Sequence, residues 1–167
     1  MCIRDSRKFS KSRGWGIEQN DYLETFKDFP NKEDALRYAL IRNLPENKDA
    51  DFKWDEFVEF HDNELVANLG NFINRVTVLT TKYYEGKLPV ATNLNLEPVQ
   101  KLVEKLEAAL ESFNFKVAIQ LVNEISSYGN TYLQDVSPWK IWKEDPESQE
   151  VKAVSYTHLT LPTILRV

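Results

Sequence analysis

The sequence predicts a mainly α protein, an antiparallel helix bundle preceded by a basic loop and a short linking region. Three observations predict it. Apolar residues recur every three to four positions in four separate segments, proline and glycine punctuate the gaps, and strand signals are weak and confined to the region around the opening loop.

The first element is the stretch RKFSKSRGWGI, Arg7 to Ile17, basic, serine-bearing and broken by Gly14 and Gly16. It reads as a loop. NKEDALRYALIRNLPEN then sets Ala35, Leu36, Ala39 and Leu40 at helical spacing behind an acidic first turn and before a stop at Pro45, so a helix of about three turns is expected. The longest pattern starts near Trp54. Leu65, Leu69, Phe72, Val76, Leu79 and Tyr83 alternate by three and four, one apolar stripe on a helix over roughly 54–85 that Gly86 can cap. After Pro89, LEPVQKLVEKLEAALESFN places Val99, Leu102, Val103, Leu106 and Leu110 on one face. FKVAIQLVNEISSYGNTYLQD does the same with Val117, Ile119, Leu121, Val122, Ile125 and Tyr128. No internal repeat or low-complexity tract interrupts the pattern.

Composition narrows the class. With 167 residues, 42% hydrophobic and 28% charged, the chain can form one modest domain with a real core and is too ordered in composition for disorder. A net charge of -5 argues against broad nonspecific nucleic-acid binding, DNA included, because phosphate neutralisation needs surplus Lys and Arg; a local patch can still bind RNA. No apolar run approaches the about 20 residues of a membrane span, and the chain reads as soluble and cytoplasmic. Cys2 is the single cysteine, which excludes an intrachain disulfide and a Cys-rich zinc site.

The two ends read as one DNA sequence. Met1 to Ser6 can be encoded by ATG TGT ATA AGA GAC AG, and the complementary strand then encodes Val154 to His158. This resembles the transposase mosaic end of sequencing-library adapters, with Leu159 to Thr163 as continuing read-through. Residues 1–6 and 154–167 are therefore expected to be adapter-derived and are set aside from fold reasoning. Between them, residues 7–50 are expected to hold the loop with linking helices, and residues 51–153 a helical domain.

The opening loop carries the first candidate chemistry. Lys8 and Lys11 stand three apart with Ser10 and Ser12 among them, so ammonium groups and hydroxyls can close over a polyphosphate. Such a string alone is more often a solvated surface loop or a phosphorylation site. Its context is more specific. KFSKSRGWGI resembles the KMSKS signature loop of class I aminoacyl-tRNA synthetases, with Phe9 in place of methionine. DALRYALIRNLPENKDADFKWDEF, then NELVANLGNFINRV and DVSPWK, resemble the methionyl-tRNA synthetase family in order and spacing, over essentially all of residues 7–153.

That resemblance implies an enzyme that activates L-methionine with ATP and magnesium and passes it to tRNA(Met). It gives Lys8 and Lys11 catalytic roles and Lys8, Ser10, Lys11 and Ser12 ATP-phosphate contacts, with Gly14 and Gly16 supplying backbone freedom for the loop. It also implies that Asn71, Arg75, Pro138 and Trp139 read the CAU anticodon. Asn71 and Arg75 share a helix face, and Pro138 suits the first position of a short helix bearing Trp139. An amide, a guanidinium and an indole match unpaired bases, through edge hydrogen bonds and stacking. Read from the residues alone, Arg75 could instead pair with an acidic neighbour and Trp139 lie buried between helices.

The remaining candidates read as structural, and no metal site is expected. His61 lacks a ligand partner at suitable spacing and is expected to face solvent. Asp55, Glu56 and Glu59 suit a helix first turn, Trp54 a core or staple position, Tyr83 and Tyr84 packing at a helix end, and Lys53 a poor N-cap. Trp15 either anchors the loop or faces nucleotide. The nucleotide-binding fold, the methionine pocket and any zinc-bearing insertion of the family would precede residue 7, so the chain alone is not expected to aminoacylate. Helices completing the bundle would follow Val151, leaving the last apolar faces partly uncovered. The rival expectation is a free-standing helical RNA-binding or interaction module without catalysis.

Overall fold

The computed structural model describes residues 18–46, 50–86 and 97–144, and the backbone alone of residues 3–4 and 7–8. Among them the architecture is mainly α, as the apolar spacing predicts. β1 (Ile3–Arg4) pairs antiparallel with β2 (Arg7–Lys8), Ile3 opposite Lys8. The pairing is two residues long on each side.

α1 (Gln19–Thr25) is a helix that the sequence reading leaves within the linking region. Tyr22, Phe26 and Phe29 fall four and three apart, and this short helical spacing is hidden among charged residues. Tyr22 is buried, and its hydroxyl donates to the Lys32 carbonyl at 2.8 Å, tying α1 to α2 (Lys32–Arg42). α2 ends three residues before Pro45, which can neither donate an amide nor leave its predecessor helical. Ala35 and Ala39 are buried as expected and Leu36 is half-buried, but Leu40 is 50% exposed. The small alanines lie where α2 closes on its neighbours, and this rotates Leu40 outward.

The long helix forms as one continuous rod, α3 (Trp54–Glu59), a π-wound segment (Phe60–Gly70) and α4 (Asn71–Tyr84). Its predicted extent is right; its winding was not foreseen. In the π turn each residue advances less around the axis, so these eleven residues reset the face that α4 presents. Even so, none of the stripe from Leu65 to Tyr83 is exposed, and Phe72 and Val76 are buried. The rod ends with Glu85 and Gly86 at φ of 53° and 77°, and the Gly86 amide donates to the Thr80 carbonyl at 3.2 Å.

α5 (Glu97–Glu111) and α6 (Phe115–Val136) form an antiparallel hairpin whose tight turn uses Phe113 at φ 59°. The orphan amide of Lys116 at the start of α6 is met by the Glu46 carboxylate at 3.0 Å, so the chain just after α2 caps a helix 70 residues away. α6 runs parallel to the long helix, with Glu64 meeting Asn123 and Arg75 meeting Asn130. Long helix, α5 and α6 therefore make an up-down-up bundle around Phe72, Val76, Val99, Leu106, Leu121, Ile125 and Leu133. Val117, at the first turn of α6, lies outside that core at 45% exposure.

A second, aromatic cluster joins Tyr22, Ala35, Ala39 and Phe57 with Phe26, Phe29, Phe52 and Phe60. Trp54 stacks on Tyr22 at 6.3 Å between centroids yet stays 44% exposed, a lid on this cluster rather than part of its interior. α7 (Pro138–Glu144) then lies against α4, with Trp139 beside Arg75 and Trp142 beside Tyr83 and Tyr84.

Candidate nucleic-acid interface

Gly129 sets the approach of α6 to α4. A Cβ at this position would stand 2.8 and 2.9 Å from Cζ and Cδ2 of Phe72, so only glycine lets the Phe72 ring come this close to the helix. Phe72 is fully buried there. Its neighbour Asn71 is thereby brought beside Asn130, the neighbour of Gly129.

The side chains that result form one continuous polar seam. Asn71 Nδ2 donates to Asn130 Oδ1 at 3.2 Å, and Arg75 Nη1 donates to the same oxygen at 3.4 Å. Asn130 Nδ2 donates to the carbonyl and the side-chain oxygen of Asn68, at 3.0 and 3.3 Å. Asn68 in turn donates to the Asn123 carbonyl at 2.9 Å. Sequence reading missed Asn68, Asn123 and Asn130. Their signal was available: asparagine is a poor helix-interior residue, and Asn123 and Asn130 sit two turns apart on one side of α6.

Pro138 opens α7 at its first position, where the missing amide costs nothing. The Ser137 turn ahead of it, at φ 47°, aims Trp139 back toward α4. The Arg75 guanidinium lies over the Trp139 ring, 5.9 Å from its centroid. Trp139 is half-buried, not enclosed, and among the described residues Arg75 makes no ion pair with an acid. The structure thus brings Asn71, Arg75 and Trp139 to one face, with Pro138 buried as the hinge that delivers the indole. Asn71 also borders an open groove of about 930 Å³ that runs past Asn74, Val66 and His61 to Tyr38 and Asp34.

A second polar cluster ties α2 to this seam. The Tyr38 hydroxyl donates to Glu64 Oε2 at 2.6 Å, Arg42 Nε reaches both Glu64 oxygens at 3.2 and 3.1 Å, and Asn123 Nδ2 reaches Tyr38 Oη at 2.7 Å. Burial, and then the bond to the Glu64 carboxylate, hold the Tyr38 hydroxyl well above its ordinary range, so it remains a donor.

Other expectations resolve individually. His61 is half-buried, its Nδ1 2.7 Å from Asp62 Oδ1 and its ring edge-on to Phe29, where sequence reading placed it in solvent; the aromatic cluster covers it. Lys53 makes no cap bond and pairs instead with Glu56 at 2.6 Å. Tyr83 and Tyr84 pack on Trp142 at the end of the rod. Of the loop, Lys8 is described in backbone only, within β2; Ser10, Lys11, Ser12, Gly14, Trp15 and Gly16 lie outside the described residues.

Comparison with known proteins places the chain in a family. Residues 1–77 match the family described as tRNA synthetases class I (M), and residues 86–163 match the anticodon binding domain of methionyl tRNA ligase. The chain is 42% identical to a methionine–tRNA ligase of Flavobacterium psychrophilum, over 98% of this chain and 24% of that protein. It is 44% identical to one of Parabacteroides distasonis, over 83% and 21%. The chain belongs to the methionyl-tRNA synthetase family. It spans about a quarter of the length of the curated relatives it matches. Within the synthetase family match falls Asn71 with Arg75, and within the anticodon-domain match Asn130 with Trp139. The seam therefore joins the two matched regions.

Proposed function

We propose that the chain is the part of a cytoplasmic methionine–tRNA ligase that carries the ATP-phosphate loop and much of the surface that reads the anticodon. The observation that carries this reading is the convergence of Asn71, Arg75 and Trp139 on one face, delivered by two helices that match two regions of one enzyme family. A half-buried indole beneath a guanidinium offers a stacking surface, and the amide and guanidinium offer hydrogen bonds to base edges. The ligand is the CAU anticodon of tRNA(Met). Pro138 fixes the direction from which the indole approaches.

At the other end, Lys8 and Lys11 supply positive charge to the phosphates of ATP as pyrophosphate separates from the adenylate of L-methionine, and Ser10 and Ser12 hold phosphate oxygens. Magnesium accompanies the nucleotide as its counter-charge. A zinc-bearing insertion, where such an enzyme has one, belongs to the part before residue 7. Residues 1–6 and 154–167 we take as adapter-derived although the family matches extend over 1–6 and 154–163, and source DNA read across both junctions tests that directly.

The functional test separates the two ends in full-length protein. Trp139→Ala should abolish preference for the CAU anticodon while leaving adenylate formation near its normal rate. Lys11→Ala should slow adenylate formation with tRNA affinity nearly unchanged. Equal loss of both activities in both variants would reject the assignment of roles.

A further inference from the structure

We infer that Asn130 is a positioning residue that sets the hydrogen-bonding polarity of Asn71, so that Asn71 offers a carbonyl oxygen outward and selects a base bearing an exocyclic amino group. The inference rests on the proposed anticodon reading and adds to it a residue and a direction of choice.

An amide side chain can face either way round, and its neighbours decide which. Arg75 can only donate, so the Asn130 atom 3.4 Å from Arg75 Nη1 must be the oxygen. A backbone carbonyl can only accept, so the Asn130 atom 3.0 Å from the Asn68 carbonyl must be the NH2 group. Asn130 is thus locked at both ends. With its oxygen turned toward α4, the Asn71 atom 3.2 Å away must in turn be the NH2 group. The Asn71 oxygen then points away from the seam, on a side chain that is solvent-exposed. Among the described residues that oxygen meets no donor of the protein.

The lock is anchored beyond α4. Asn68, which fixes the NH2 end of Asn130, is itself held to the Asn123 carbonyl, two turns back along α6. Asn68 also lies in the last turn of the π-wound segment, where the ladder of backbone bonds changes register and a carbonyl can accept a side-chain donor as well. An outward acceptor pairs with the N4 amine of cytosine or the N6 amine of adenine, whereas uracil and hypoxanthine present a keto oxygen at that position and keep only the neighbouring ring N–H as a donor. Two of the three CAU bases carry such an amine.

The test uses full-length protein and tRNA anticodon stem-loops in which the amine is exchanged for a keto group, cytosine by uracil in one and adenine by hypoxanthine in the other. Affinity for each is compared with that for CAU by fluorescence anisotropy, and each variant is melted to confirm its fold. The normal protein should disfavour one of the keto loops by at least about tenfold, the size of one lost hydrogen bond with an acceptor left facing an acceptor. Asn130→Leu removes the lock and lets the Asn71 amide turn, so the preference should fall to within about twofold. Asn130→Asp keeps an acceptor toward Asn71 and Arg75 while losing the donor to Asn68, and should keep the preference even where its melting temperature drops as far as that of Asn130→Leu. A merely structural Asn130 would show the two variants losing preference in step with stability, and that result overturns the inference. So does an undiminished preference in Asn130→Leu. If the normal protein tells neither keto loop from CAU, the anticodon reading itself fails, and the inference with it.

Discussion

The two apolar clusters of this molecule are built on different principles. Around Tyr22, short helices meet through rings, with Phe26, Phe52, Trp54 and Phe57 within about 4.8 to 6.4 Å of one another or of Tyr22. Around Phe72, long helices meet through aliphatic side chains and one glycine. Rings tolerate many relative tilts, so the first cluster can join elements without fixing them closely. A ring pressed on a glycine allows one arrangement. The polar seam bearing Asn71, Arg75 and Trp139 hangs on the second cluster, where an error of an ångström in helix position would separate Asn130 from its partners.

Breaking the second cluster should therefore cost most. Phe72→Ala removes a fully buried ring and should lower stability by about 3–5 kcal/mol, read by urea unfolding. Against a total of about 5–15 kcal/mol for a domain, that is enough to unfold much of the chain. Gly129→Ala should cost about 1–3 kcal/mol by overpacking, because the ring has to move. A Gly129→Ala protein as stable as the normal one would show that α4 and α6 are not fixed as described.

Between the clusters, Glu64→Gln keeps the shape and removes the charge that Arg42 and Tyr38 share, and should cost about 1–3 kcal/mol. The same cluster gives the molecule an alkaline limit. The Tyr38 pKa is raised above its unfolded value of 10.0, so the proton is held more tightly in the folded state. The stabilisation is fully present below pH 10 and lost as pH rises above it. Tyr38→Phe should flatten that decline. The smallest effect belongs to the surface: Lys101→Ala breaks a pair whose side chains are 66% and 70% exposed and should shift stability by less than about 0.5 kcal/mol.

Sequence periodicity located the long helix, α5 and α6 because each buries one stripe over three or more turns. It passed over α1, whose two turns carry only Tyr22 and Leu23, with Phe26 and Phe29 just beyond its end. It could not show the π winding, which depends on how Phe60–Gly70 fits between α2 and α6 and not on its apolar spacing. It misjudged Leu40 and Val117, which have the right spacing but lie where no helix among the described residues covers them. That Asn71, Arg75 and Trp139 come together was to be expected only through family resemblance, since no spacing rule links residues 75 and 139. Asn130 was not legible, because its role arises from contact across 55 and 59 positions with Arg75 and Asn71.

The central claim is that the Asn71, Arg75 and Trp139 face reads RNA. It is tested most directly by titrating full-length protein with a CAU anticodon stem-loop and with the same stem bearing an unrelated loop. Arg75→Ala should reduce the ratio of the two affinities at least about tenfold, through loss of a charged hydrogen-bond donor and of the contact that steadies Trp139, with the melting temperature little changed. An Arg75→Ala protein that keeps its full preference for the CAU loop would contradict the claim.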